Sequence, residues 1–556
     1  MPEHSTIKYE LESATKKSIL PIIPLLIILT LASTALALFF IDTSILSYAY
    51  QLVLSTGIFL SFYMKYKDFR QINITNNIPV YLSLIAAALT AYENFKLHDN
   101  IIKFKFNAFC KLVGNSKLSE QLFPILGYTI PFICFFIIFA ICFLVIYTVL
   151  CKYFIQWKEK SQKIEYIYLA IASIFYICLI LFFYNQSFTF YKPENTDIIF
   201  TTDTTYYESH INLYDPVNDI RQPLYALFAA PFSVFAYATS KLFFFIPNAY
   251  LKFLAIVHLT LILISLVTVS RMVAKTTMER LFFLLLITTS FPVFLFAVTL
   301  EQYVVPIFYL IAFIYCCVQS DVNENVKNFF VSAATGCLVT SGFFIIALFN
   351  QSIEKSIKKL FQITLIFACI TFILRPYLIL DLFPNIDRLL KFSALGNDKQ
   401  YSLYYRLCQF TEFVYTCFFA PATRIIPNVD NYISVQLMEP EKISVLGTLI
   451  LLITLAGFWL NRRKKIAILS FYWIIFSFCL LAITGWGSPE NGMVLYSFYF
   501  FWAYCILFFL FIIKVTENLK NIRYTAIILI IAAQIIINSK AMMNIVEFAA
   551  KYYPVK

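Results

Sequence analysis

The sequence predicts an all-α polytopic membrane protein, with about 13 full transmembrane helices plus interfacial or re-entrant helices. Three observations predict it. The 556 residues are 60% hydrophobic and only 13% charged, with 61 Phe, 37 Tyr and 11 Gly, far from the balance of a soluble domain. Apolar runs of roughly 20 residues, the length a helix needs to cross a bilayer, recur along the chain. These runs are continuous, whereas the strands of a membrane barrel would alternate over about ten residues.

The elements follow in order. The first 18 residues carry both signs of charge and precede a run too long for a signal-peptide core, with no small-residue cleavage site, so the first span is expected to be retained. Spans are expected at 19–41, 44–64, 78–94, 124–150 and 166–184. Within the 95–123 connector, the pattern IIKFKFNAFCKLV suits a helix lying on the membrane surface. A polar loop, 185–247, comes next and contains the apolar segment 222–246. Further spans are expected at 248–270, 281–299, 303–319, 360–380, 444–460, 466–485, 492–514 and 523–540, with a second large loop at 381–443.

Orientation is read from the basic connectors, which are retained in the cytoplasm. They carry Lys65, Lys67 and Arg70; Lys152, Lys158, Lys160 and Lys163; Arg271, Lys275 and Arg280; Arg462 to Lys465; and Lys514, Lys520 and Arg523. The polar stretch from Lys192 to Phe232 has Lys192 and Arg221 against six acids, Glu194, Asp197, Asp203, Glu208, Asp215 and Asp219, so the loop that holds it belongs outside. A full crossing by 222–246 would invert every later span and expel Arg462 to Lys465. The segment is therefore expected to be an interfacial or re-entrant pair of helices broken near Pro231 and Pro247. The 327–349 run, with Gly336, Thr340, Ser341 and Gly342 at its centre, is expected to form two half-spans returning to one side. The same topology places the lysine-rich 95–123 connector outside.

A formal charge of +12 is explained by these connectors, so no nucleic-acid partner is expected. The 13 Cys sit mostly within apolar runs as small buried hydrophobes, although Cys408 and Cys417, on the outer side, could join in a disulfide. The few His (His4, His98, His210, His258) are expected to form no cluster. No HExxH, Walker or dinucleotide pattern occurs, which argues against a protein-built zinc site and against ATP-driven pumping by this chain alone.

Every acid suited to catalysis falls on the outer side: Asp203 and Asp219 in the first loop, Glu301 between two spans, and Glu490 in GWGSPENG. Asp203 is either a solvated loop acid or a general base that takes a proton from an acceptor hydroxyl. Glu301, in TLEQYVVPI, is either an interfacial anchor beside Tyr303 or a second carboxylate that orients the acceptor. Asp219 pairs locally with Arg221 or ranks third among the acids. Arg375, at the outer end of its span, and Arg388, Lys391, Lys399, Arg406 and Arg424 of the second loop could receive a lipid phosphate or simply contact headgroups.

The order of TTDTTYY around Asp203, RQPLYALFAAPF from Arg221 to Phe232, SRMVAKTTMER, and LEQY around Glu301 resembles the GT-C superfamily of membrane glycosyltransferases. In pattern it looks like the protein O-mannosyltransferases and the aminoarabinose transferases of bacterial lipid A. The resemblance covers roughly residues 166–380. It implies a GT-C-like core at 166–380, preceded by an extra module at 1–165 and followed by the outer loop 381–443 and the helices of 444–556. It implies a polyprenyl-phosphate sugar as donor and a glycan, lipid or protein as acceptor. Asp203 would act on the acceptor, Glu301 would be the second acid, and Arg375, Arg406, Arg424 and Arg221 are donor-phosphate candidates. No cofactor is required by the sequence, and a divalent metal occurs in the superfamily. Two features depart from the family's pattern: about five spans precede the first loop where one is usual, and little follows the last span. The expected location is a bacterial inner membrane with the site facing the periplasm or exterior. A polysaccharide polymerase of the O-antigen type and a lipid-linked sugar flippase are the competing classes. A flippase would show ionisable residues deep in its spans and a repeat between halves, whereas the spans are almost charge-free inside and no repeat is visible.

Overall fold

The computed structural model describes residues 78–112, 126–191, 198–200, 202, 210–213, 220–319, 322–348, 401–427, 433–488 and 493–555. It also describes 19–21, 28, 31–32, 71–73 and isolated positions between 361 and 394. The expected spans 19–41, 44–64 and 360–380 fall largely outside these residues. In chain order the helices are α1 Ile78–Leu97, α2 Asp99–Leu112, α3 Tyr128–Glu159, α4 Lys163–Gln186, α5 Tyr225–Leu242, α6 Ala249–Val273, α7 Thr277–Thr288 and α8 Phe291–Val298. They continue as α9 Val304–Val318, α10 Glu324–Cys337, α11 Leu403–Thr416, α12 Val445–Asn461, α13 Lys465–Ser477, α14 Met493–Val515 and α15 Lys520–Tyr552.

Among the described residues seven helices are long and apolar enough to cross a membrane: α1, α3, α4, α6, α13 with its π-helical continuation to Ile483, α14 and α15. The chain is thus a helical multi-pass membrane protein. α3 has 32 residues, about 48 Å at 1.5 Å per residue, so it must tilt or project beyond a hydrocarbon core of roughly 30 Å. α1 packs along α3 through Ser83, Ala86, Ala87, Thr90, Ala91 and Asn94, buried at three- and four-residue spacing. Small residues let two backbones approach where lipid gives no hydrophobic drive between helices. α12 meets α14 in the same way: a β-carbon on Gly457 would lie 2.1 Å from the Leu507 carbonyl oxygen. We expect Gly457→Ala to lower stability by about 1–3 kcal/mol, seen as a lower unfolding midpoint in detergent. An unchanged midpoint would mean the two helices separate freely.

Several expectations are corrected. The span 281–299 is two helices, α7 and α8, bent by 63°. Its break survives because two side chains and a neighbouring backbone carbonyl reach the freed backbone. Tyr176 Oη donates to Thr288 O at 2.8 Å, Asn538 Nδ2 donates to Thr289 O at 2.8 Å, and Phe291 N donates to Phe418 O at 3.3 Å. The segment 222–246 is not broken at Pro231: α5 runs through it, with the Tyr147 hydroxyl on Pro231 O and the Tyr309 hydroxyl on Phe228 O. α5 and α6 are antiparallel neighbours, with Tyr237 facing Tyr250 near the hairpin. His210 lies between Tyr225, the first residue of α5, and His258 in the middle of α6. α5 therefore begins part-way along α6. At the 327–349 run, α10 stops at an extended Leu338 and a 3-10 helix, Val339–Leu348, follows.

The all-α expectation omits short antiparallel pairs: β1 Ile19–Pro21 with β2 Gln71–Asn73, and β3 Thr423–Pro427 with β4 Ile433–Leu437 in the second large loop. The β3 and β4 sequences, TRIIP and ISVQL, are rich in the β-branched residues that favour strands. Cys408 and Cys417 are both free and buried. Nine positions along α11 and its cap place them about 13 Å apart along the axis, beyond the roughly 4.4–6.8 Å a disulfide spans between α-carbons.

The connectors sort to two ends of the bundle. At one end, Arg271 and Arg280 join Glu165, and Arg523 joins Glu279. At the other, Leu300 N donates to Phe190 O, Tyr553 Oη bonds the backbone of Ile433, and Ser187 Oγ donates to Tyr553 O. α1 also delivers its C-terminal end to this second end, where Asn94 holds residues 211–213.

Candidate active site

Of the residues the sequence singles out, Arg221, Arg375 and Glu301 come together in the structure. Asp203, Asp219, Glu490, Arg388, Lys391 and Lys399 lie outside the described residues, but the chain that leads to Asp203 is fixed. Phe200 N donates to Val435 O at 2.9 Å and Val435 N to Ile198 O at 2.8 Å, joining the first loop to β4 of the second. Phe200 is left-handed, with φ 52°, a conformation that costs a non-glycine residue of order 1–2 kcal/mol. Immediately after it, Thr202 turns back on Ile199 O through both its amide, 3.0 Å, and its hydroxyl, 2.7 Å. Asp203 follows directly on this pinned turn.

Residues 210–213 are held from below by α1 and the start of α2. Asn94, fully buried, donates to Ile211 O at 2.8 Å and accepts from Leu213 N at 3.0 Å, while His98 Nε2 and Asn212 Oδ1 are 2.8 Å apart. The Asn94 amide thus acts as a rung for loop backbone that has no strand partner. We expect Asn94→Ala to leave those backbone groups unsatisfied at a cost of about 1–3 kcal/mol, with faster protease cleavage between residues 192 and 219. Unchanged cleavage would show that the loop does not depend on α1.

Residues 221–225, the Arg-Gln-Pro-Leu-Tyr segment, form the centre. Arg221 O accepts from Val339 N and Leu224 N donates to Gly336 O, each at 2.9 Å, docking the segment on the break after α10. Gly336 permits the approach, since a β-carbon there would sit 2.7 Å from the Phe228 ring. Arg375, 1% exposed, donates from Nη1 to Pro223 O at 3.3 Å. Glu301, wholly shielded from solvent in the turn between α8 and α9, accepts from Gln302 N at 3.1 Å and lies near enough to the Tyr225 phenol for its charge to be felt. A buried carboxylate and a buried guanidinium persist only where partners compensate them, and both groups reach the 221–225 segment. Glu301 is not displayed at an interface as an anchor would be.

The other cations lie elsewhere. Arg406 donates to Ile483 O and packs against the left-handed Gly485, tying α11 to the GWGSPENG loop. Arg424, on β3, pairs with Glu439 at 2.5 Å in a partly exposed ion pair. Sequence reasoning missed Asn94 and the pairing of His210 with His258. The two imidazoles, 48 residues apart, place Nε2 atoms 3.1 Å from each other, and the Tyr225 hydroxyl is 2.8 Å from His210 Nε2. The reading that the His form no cluster is corrected: spacing carried no trace of this pair. Asn94 left one signal, a polar residue at the end of an apolar run. Among the described residues no three His, Cys, Asp or Glu side chains gather as a metal site requires.

Bundle and site together define the class: a multi-pass helical membrane protein whose two large loops pair through residues 198–200 and Val435. No protein-family model, curated protein or solved structure matches the chain.

Proposed function

We propose that this protein is an integral membrane glycosyltransferase that moves a sugar from a polyprenyl-phosphate donor to a glycan, lipid or protein acceptor on the outer face of a bacterial inner membrane. The observation that carries the reading is the meeting of buried Arg375 with Pro223 O, and the nearness of buried Glu301 to Tyr225, within residues 221–225. In this mechanism the Asp203 carboxylate takes the acceptor hydroxyl proton as that oxygen bonds the anomeric carbon. The bond from that carbon to the lipid phosphate breaks with inversion, and the departing polyprenyl phosphate keeps the electron pair. Arg375 and Arg221, with Arg406 and Arg424 as further candidates, stabilise its charge, and positioning supplies much of the remaining acceleration.

A second reading, a lipid-linked sugar flippase, draws on the broken α7–α8 span, since discontinuous helices build transporter binding sites. The groups at that break are occupied by Tyr176, Asn538 and Phe418, leaving fewer to offer a substrate. A polymerase would depend on second-loop Arg residues more than on Asp203. The test is transfer of labelled sugar from a polyprenyl-phosphate donor pool by membranes containing the protein. Turnover that requires the protein and is lost in Arg375→Ala supports the transferase. Donor that crosses the bilayer without any transfer would replace it with the flippase.

A further inference from the structure

At the opposite end of the bundle a cavity of about 630 Å³ opens between the α6–α7, α12–α13 and α14–α15 connectors. Its volume is in the range of small-ligand sites. Six cations line it, Lys275, Arg462, Arg463, Lys464, Lys514 and Arg523, against the two carboxylates Glu279 and Glu517. Both carboxylates are already engaged: Glu279 with Arg523 at 3.1 Å and Glu517 with Lys514 at 2.6 Å. Lys275, Arg462, Arg463 and Lys464 enter no ion pair among the described residues. Burial, with Lys275 and Lys514 nearby, holds the Lys464 ammonium below its usual range. Retention of cations in connectors accounts for their side of the membrane but not for their concentration around one concavity, where like charges repel.

We propose that this cavity binds a phosphate-bearing anion at the membrane surface. Phosphate oxygens match the forked donors of Arg462 and Arg463 and the point charges of Lys275 and Lys464. The rim favours a lipid headgroup as the source. Trp459, 64% exposed, and Leu460, 44% exposed, present apolar surface beside the cations, and the Arg462 guanidinium lies 4.5 Å from the Trp459 ring centre. Basic pockets between membrane helices recognise anionic headgroups by this combination. The inference does not rest on the transferase reading.

The test is native mass spectrometry of the purified full-length protein in detergent, titrated separately with phosphatidylglycerol, phosphatidylcholine and inorganic pyrophosphate. The wild type is expected to hold phosphatidylglycerol in preference to phosphatidylcholine. Arg463→Gln with Lys464→Gln should weaken that binding about thirty-fold, and Lys275→Gln alone, on a different connector, about five-fold. A variant neutralised at Lys158 and Lys163, exposed cations on another connector, should bind as the wild type does. Phosphatidylglycerol that resists pyrophosphate identifies a lipid headgroup, whereas displacement by bound pyrophosphate identifies a soluble phosphate. Wild-type binding in both cavity variants, or equal loss in the Lys158 and Lys163 variant, would overturn the site.

Discussion

Under the proposed transferase mechanism, Asp203→Asn is expected to lower sugar transfer by about 10²–10⁴-fold, the range a lost general base produces, while the unfolding midpoint stays at the wild-type value. Amide for carboxylate preserves shape and removes the proton acceptor. The flanking structure should tolerate it: the turn before Asp203 is held by Thr202 on Ile199 and by the rungs between residues 198–200 and Val435, none of which uses the Asp203 side chain. Glu301→Gln makes a useful comparison because that carboxylate is buried and accepts from its neighbouring amide. It should lose activity together with some stability. Turnover in Asp203→Asn equal to that of the wild type, at equal expression, would remove Asp203 as the base and return it to the class of solvated loop acids.

The largest stability effect is expected at Glu165, at the other end of the bundle. Its carboxylate, wholly buried, accepts from Arg271 Nη2 at 2.5 Å and Arg280 Nη1 at 2.7 Å and also caps its own helix through Gln162 N at 3.1 Å. Arg271 in turn donates to Trp157 O at 2.8 Å and lies 4.2 Å from the Trp157 ring centre. One acid therefore fastens α3, α4, α6 and α7. Glu165→Gln leaves two guanidinium groups without their counter-charge in a site closed to water, a situation that costs about 3–5 kcal/mol. A sharp fall in the unfolding midpoint in detergent is the expected result. A midpoint unmoved by Glu165→Gln would mean water reaches the two Arg residues.

Much of the fold was legible because bilayer crossing imposes a length and a composition that a window of sequence can register. α1, α3, α4, α6, α13, α14 and α15 fall where the apolar runs predict them. The break at Thr289 was not legible in the same way, since average hydropathy measures solvent preference and not chain direction. Phe291-Pro292 was its only mark. Arg271 and Arg280 read as loop cations because their partner, Glu165, is more than a hundred residues away. Of the site, the sequence picked out Glu301, Arg375 and the Arg221 to Tyr225 segment from charge, side and order. It had no means to pair Arg375 with Pro223 or His210 with His258.

By itself, then, the sequence determined that this chain lives in a membrane as a helical bundle, which apolar runs separate into spans, and which large loops belong together on one side. Those are local properties, set by the free energy of moving each segment from water into hydrocarbon. Only the tertiary structure decided which buried polar groups meet: Asn94 with the first loop, Arg375 with Pro223, Glu165 with two Arg, and the cations of three connectors around one cavity. The reason is physical. In a medium that offers no water, each polar group must find a partner within the fold, and the partner is chosen by packing in space, which spacing along the chain does not encode.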